Sequence, residues 1–147
     1  MKPVQLAIAA IGLTARVVPT GVDDKGEFSV PPSIDEVGWY RFGPGLGEAS
    51  GSVVIGGHVD DATSGPGAFY RLRDLVEGDQ VSITGEDGNV RSFRVVAKEQ
   101  VPKKNLDLTP YFSTDGSVRL SLFTCGGQFD GAQRSYVDNV IVTTVPA

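Results

Sequence analysis

The 147-residue chain contains only one cysteine, one histidine, one tryptophan and one methionine. A single cysteine cannot form an internal disulfide, so the sequence neither requires nor excludes an oxidising compartment. One histidine and one cysteine leave a zinc site short of ligands unless carboxylates complete it, and the sequence has no acidic cluster suited to calcium. We therefore expect no metal and no cofactor.

Long apolar runs and clusters of basic residues are also missing. No apolar run approaches the roughly 18 residues that span a bilayer. The short apolar stretch from Leu6 to Leu13 is interpreted as a first strand rather than a signal peptide, because the extended-looking residues Thr14 to Val18 follow it at once. The formal net charge is -5, which argues against nucleic acid and anionic lipid as partners because both need a basic surface. A peptide or a small polymer fits this net charge better as a partner.

Glycine and proline are frequent, at 19 and 9 residues, and β-branched runs lie between them. This pattern predicts an all-β barrel or sandwich, and the length suits a single domain over residues 1–147. The predicted strands are Gln5 to Ala9, Arg16 to Pro19, Ser52 to Gly56, Gln80 to Thr84, Arg91 to Glu99, Val118 to Thr124 and Asn139 to Val145.

Turns and short helices complete the predicted elements. The Asp-Gly pair within Gly85 to Asn89 predicts a hairpin between two of the strands. A short helix is expected from Ala68 to Leu75, where apolar residues repeat every three positions, and a helical turn around Ser33 to Val37 after two prolines.

Three residues suggest chemistry. The apolar strand that ends at Thr124 leads directly into Cys125 and two glycines, His58 closes an earlier apolar strand, and Arg134 follows the cysteine by nine positions. Each has an ordinary interpretation as well: a buried inert thiol, a packing histidine and a solvated arginine. Together they could supply a thiolate nucleophile, a proton carrier and a cationic clamp, and Arg134 would lower the pKa of the Cys125 thiol.

The order and surroundings of these residues resemble those of sortases, the cysteine transpeptidases that attach proteins to the Gram-positive cell wall. The matching segments are Gly56 to Asp60, Phe69 to Leu75, Gly78 to Val81, Ser121 to Cys125, and Arg134. Other segments resemble the actinobacterial branch called class F, namely Val18 to Asp23, Val30 to Pro32, Gly38 to Arg41 and Cys125 to Asp130.

The resemblance implies a closed eight-stranded β-barrel with one or two short helices. It also implies cleavage of a Leu-Pro-x-Thr-Gly-like sorting signal between Thr and Gly, with Cys125 as nucleophile, His58 as acid and base, and Arg134 steadying the oxyanion. Thr124 would help to bind substrate. By the same analogy, Leu106, Leu108 and Tyr111 would flank the Leu-Pro end of the signal, although packing at the end of the barrel is an equal alternative for them.

The resemblance also implies partners and a location. The expected partners are surface proteins with a C-terminal sorting signal and a cell-wall precursor amine, at the extracellular face of the cell membrane. Sortases usually carry an N-terminal membrane helix, so the chain is expected to be an ectodomain whose anchor is missing from this sequence. Two other functions stay open: a non-catalytic β-barrel that binds a peptide or glycan, and a cysteine hydrolase without an amine acceptor.

Overall fold

The computed structural model describes residues 1–21, 36–43, 45–47, 51–57, 60–61, 65–66, 68–69, 71–102, 117–124, 129–130, 135–136 and 138–147. Within these ranges the chain is almost entirely strand. The strands are β1 (Pro3–Ile8), β2 (Leu13–Thr20), β3 (Glu36–Tyr40), β4 (Ser52–Gly57), β5 (Asp60–Asp61), β6 (Gly65–Pro66), β7 (Gln80–Gly85), β8 (Val90–Pro102), β9 (Arg119–Thr124), β10 (Phe129–Asp130), β11 (Ser135–Tyr136) and β12 (Asp138–Pro146).

Eight of these strands form a closed barrel in the order β1-β2-β3-β4-β9-β12-β8-β7. The predicted eight-stranded all-β barrel is therefore confirmed. Closure pairs every strand on both edges, which removes the exposed edges that open sheets must protect. The short strands form two separate pairs, β5 with β6 and β10 with β11.

Seven of the eight barrel strands coincide with predicted strands, and β3 is the one that the sequence analysis missed. The predicted helical turn around Ser33 to Val37 is wrong where the structure describes it, because Glu36 and Val37 begin β3. Pairing with two neighbours decides the conformation here: Val37 lies opposite Val17 of β2 and opposite Gly57 of β4.

Helix is confined to two short 3₁₀ segments within the described residues, Ala9–Ile11 and Leu72–Asp74. The longer helix predicted from Ala68 to Leu75 is thus reduced to a single turn. Phe69, Leu72 and Leu75 are all 0% exposed. A 3₁₀ turn has three residues per turn and aligns side chains spaced by three, so it can bury this set on one face. Neither segment has the length or hydrophobicity of a membrane-crossing helix.

Strand direction determines which strand ends lie together. Two neighbouring pairs are parallel, β2 with β3 and β4 with β9, and the other barrel pairs are antiparallel. Strands β4 and β9 therefore both end at the same end of the barrel, where β8 also ends and β12 begins. We call this the Thr124 end. The β7–β8 hairpin and Met1 lie at the opposite end.

The core fills the barrel with aliphatic side chains. All six residues of β4 are buried, so both faces of this strand are covered, and its sequence is correspondingly apolar without alternation. By contrast β7 alternates, with Val81 and Ile83 buried and the residues between them more exposed. The predicted hairpin is confirmed between Thr84 and Val90, which are register partners.

Candidate functional site

The Thr124 end is organised by the parallel pair β4 and β9. Their register runs from Ser52 opposite Arg119 to Gly57 opposite Thr124. The two strands thus end at directly paired residues. Since parallel neighbours point the same way, whatever follows each strand in the chain begins at the same edge of the barrel.

Strand β12 completes this edge on the other side of β9. The two strands are antiparallel, with Ile141 opposite Phe123. Residues 125–137 connect them, so this connection both starts and finishes at the Thr124 end. It contains the antiparallel pair β10–β11, in which Phe129 lies opposite Tyr136.

Most of the predicted site lies outside the described residues. This applies to the three predicted catalytic residues, His58, Cys125 and Arg134, and to the three predicted substrate-flanking residues, Leu106, Leu108 and Tyr111. Their neighbours in the chain are described. Gly57 precedes His58, Thr124 precedes Cys125, and Ser135 of β11 follows Arg134.

Thr124 is the one predicted site residue whose side chain is described. It is 2% exposed, and its Oγ1 accepts a hydrogen bond of 2.9 Å from the backbone N–H of Val140 in β12. The hydroxyl therefore joins two neighbouring strands at the last residue of β9.

Gly57 is constrained by packing, which the sequence analysis did not identify. A Cβ at this position would lie 2.9 Å from Cδ2 of Phe69 and 3.0 Å from Cγ1 of Val37. Real Cβ atoms essentially never come as close as the approach to Phe69, and the approach to Val37 is also unusually tight, so the end of β4 favours glycine where Phe69 and Val37 cover it. The Gly-Gly pair before the histidine was the available signal, but it does not reveal the neighbours.

A second polar contact joins β9 to β4 farther from the Thr124 end. The hydroxyls of Ser52 and Ser121 are 2.8 Å apart and buried, at 0% and 1% exposure. No sequence pattern indicated this pair, since the two residues are 69 positions apart. Across the described ranges, no group of three or more histidine, cysteine or acidic residues is arranged to hold a metal ion.

Comparison with known proteins identifies a family whose model matches this chain. The family model of the sortase domain matches residues 6–147. Sortase A from Corynebacterium diphtheriae, as a lid mutant, superimposes with a TM-score of 0.70 at 20% identity, over 97% of this chain and 68% of that chain.

Two further sortase structures give the same result. Sortase C-1 from Actinomyces oris has a TM-score of 0.73 at 19% identity, over 97% of this chain and 72% of that chain. Sortase A from Listeria monocytogenes has a TM-score of 0.70 at 13% identity, over 97% and 85%. At these identities the structural likeness establishes the fold. The search of curated proteins returned no significant match.

Proposed function

The chain belongs to the sortase family of transpeptidases, and on this premise we propose that it cleaves a Leu-Pro-x-Thr-Gly-like signal between Thr and Gly. The acyl group is held as a thioester on Cys125 and passed to a cell-wall amine. Cys125 is the nucleophile, His58 the acid and then the base, and Arg134 the cationic clamp.

The observation that carries this proposal is the pairing of Gly57 with Thr124. Paired strands lie about 4.8 Å apart and consecutive Cα atoms 3.8 Å apart, so the Cα atoms of the two following residues are within about 12 Å of each other. Those residues are His58 and Cys125. Two side chains on backbones this close can share one scissile amide, although they are separated by 67 positions in the sequence.

Chain connectivity also supports the role of Arg134. It belongs to the 125–137 connection, four residues before β12 begins at Asp138, and this connection starts and finishes at the Thr124 end. A guanidinium stays charged at any working pH and donates in a fixed fork, which suits a carbonyl oxygen that becomes negative during acyl transfer.

The proposed reaction has two steps, acylation of the cysteine and transfer to the amine. The Cys125 thiolate attacks the threonine carbonyl, a C–S bond forms, and the C–N bond to glycine breaks as the His58 imidazolium protonates the departing amine. The acceptor amine then attacks the thioester, its proton passes to the neutral imidazole, and the thiolate leaves. Arg134 stabilises the oxyanion in both steps.

The resemblance of the sequence to sortases supports further details of substrate binding, location and family branch. Leu106, Leu108 and Tyr111 flank the Leu-Pro end of the signal, and the enzyme acts at the outer face of the cell membrane on surface proteins that carry this signal. The motifs around Trp39 and Cys125 favour the class F branch.

The test is mass spectrometry of the chain incubated with Leu-Pro-x-Thr-Gly peptides and a panel of primary amines that includes triglycine. We expect a Thr-amine product and a thioester adduct on Cys125. Cys125→Ala should abolish both while leaving the melting temperature close to that of the wild type. Arg134→Lys keeps the charge but loses the fork, and should lower the rate about 10²- to 10³-fold.

Three outcomes would contradict the proposal in different ways. If Cys125→Ala still forms product, the thiol is not the nucleophile of the reaction. Cleavage that yields only the free acid with every amine indicates a hydrolase. Peptide binding without cleavage, together with a thiol that does not react with alkylating reagents, indicates a binding module.

A further inference from the structure

The hydroxyl of Thr124 has an unusual place in the β9–β12 ladder. Residue pairing between these strands runs from Thr144 opposite Leu120 to Ile141 opposite Phe123. One step further, Thr124 faces Val140, and there the N–H of Val140 donates to the threonine side chain at 2.9 Å. A side-chain oxygen thus extends the connection between the strands to the residue before Cys125.

The contact lies in a buried environment. Thr124 is 2% exposed and Val140 is 5% exposed, so water does not compete freely for the hydrogen bond. Threonine is β-branched and has few allowed χ1 values, so a hydrogen bond to its hydroxyl also restrains the orientation of its backbone. On the other edge of β9, Thr124 pairs with Gly57, whose position is set by contact distances to Phe69.

We propose that Thr124 is a positioning residue, whose hydroxyl fixes the end of β9 against Val140 and thereby sets the direction in which the Cys125 thiol faces its substrate. This inference rests on the proposed function of Cys125. It differs from the sequence-based prediction that Thr124 binds substrate, because a buried hydroxyl that holds a backbone N–H of the next strand acts through the fold.

Thr144 provides a matched control. It is 0% exposed, and its Oγ1 donates a 2.9 Å hydrogen bond to the Leu120 carbonyl across the same pair of strands. It is therefore also a buried cross-strand threonine. Its partner Leu120 lies four residues from Thr124 along β9, which is about 13 Å. Loss of either threonine hydroxyl should weaken the β9–β12 ladder, but only the loss at Thr124 occurs next to the proposed nucleophile.

The kinetic experiment compares Thr124→Val, Thr124→Ser and Thr144→Val in transfer from a Leu-Pro-x-Thr-Gly peptide to triglycine. Misplacing a reacting group by about 1 Å can cost about 10²-fold in rate. We expect Thr124→Val to lower kcat about 10- to 100-fold with KM changed less than about twofold. Thr124→Ser should recover most of kcat, and Thr144→Val should stay within about twofold of the wild type.

Two kinetic results would overturn the inference. A rise in KM with kcat unchanged in Thr124→Val would show direct substrate contact. Equal losses of kcat in Thr124→Val and Thr144→Val would show a general effect of weakening the ladder.

Amide exchange and alkylation test the positioning role of Thr124 without requiring that the protein transfer a peptide. Exchange at the Val140 amide should accelerate in Thr124→Val and keep its protection in Thr124→Ser and Thr144→Val. If the wild type transfers no peptide, the proposed function fails, and iodoacetamide then decides the positioning role. The pH profile of Cys125 alkylation should shift in Thr124→Val alone. Unchanged exchange and an unchanged profile in that variant refute the inference.

Discussion

Replacing Gly57 with alanine tests whether the end of β4 is held by packing. The added Cβ would lie 2.9 Å from Cδ2 of Phe69 and 3.0 Å from Cγ1 of Val37. Both neighbours are 0% exposed, so neither can move into solvent. Inserting a methyl group into such a site typically costs about 1–3 kcal/mol. We expect Gly57→Ala to lower the free energy of unfolding by that amount and to slow acyl transfer, because the next residue is His58.

Gly21→Ala is the matched control. Its Cβ would approach Cε2 of Phe42 to 3.0 Å, nearly the same nominal distance as at Gly57. Phe42, however, is 65% exposed, so its ring can rotate away. The effect of alanine on the unfolded chain is the same at both positions, and we expect Gly21→Ala to stay within about 0.5 kcal/mol of the wild type. The difference in unfolding free energy between the two variants therefore measures the cost of placing a methyl group against buried side chains that cannot rotate away.

The assay can use Trp39, the only tryptophan of the chain. It is 6% exposed and pairs with Ile55 of β4, so its fluorescence should report unfolding of the part of the barrel that contains Gly57. For a chain of this length the expected loss corresponds to a melting temperature lower by about 3 to 10 °C. Equal stability of Gly57→Ala and Gly21→Ala would refute the packing argument.

Two further predictions concern polar contacts. Ser121→Ala leaves the buried Ser52 hydroxyl without its 2.8 Å partner and should lower the free energy of unfolding, measured in urea, by about 1–3 kcal/mol. The double variant with alanine at both positions should have a free energy of unfolding closer to that of the wild type. Losses that add up in the double variant would contradict this prediction. The pKa of Asp87 lies below its ordinary value of 3.8, first because the Arg91 side chain donates a hydrogen bond to it and then because the Asn89 backbone N–H does. The stabilisation that this carboxylate contributes is complete only well above the ordinary value of 3.8 and is lost as the pH falls through the lowered folded pKa. The stability difference between the wild type and Asp87→Asn should therefore shrink as the pH falls below about 5, and growth of that difference would contradict the assignment.

The sequence predicted the barrel class and most strands because each strand is a local pattern. Apolar β-branched runs between glycine and proline identify strands wherever one run is long enough. β3 was not predicted because Glu36–Tyr40 is short, contains Gly38 and follows two prolines. Its conformation comes from parallel pairing with β2 and antiparallel pairing with β4. Such non-local pairing leaves no periodic signal in five residues.

The site was predictable only as a set of residue types. A cysteine after an apolar strand and a histidine after another indicated chemistry, but nothing in the spacing shows that β4 and β9 are neighbours. The cross-strand partners of Thr124 and Ser121 depend on register, which is set by the assembled sheet. Sequence patterns therefore found Cys125 and His58 as candidates, and only the pairing of Gly57 with Thr124 supports their proximity.

Strand β9 carries a buried side-chain hydrogen bond on each of its two edges. A slip of one residue along β9 would shift its end by about 3.3 Å and turn its side chains to the opposite face. Apolar patterning specifies register most strongly where one face of a strand is buried and the other exposed, but Leu120 to Thr124 of β9 are all buried, so burial alone distinguishes its two faces less sharply. Hydroxyl contacts are specific to one register. Ser121 bonds to Ser52 on the β4 edge, and Thr124 bonds to Val140 on the β12 edge. Together they fix the strand that leads into the proposed nucleophile relative to both neighbours.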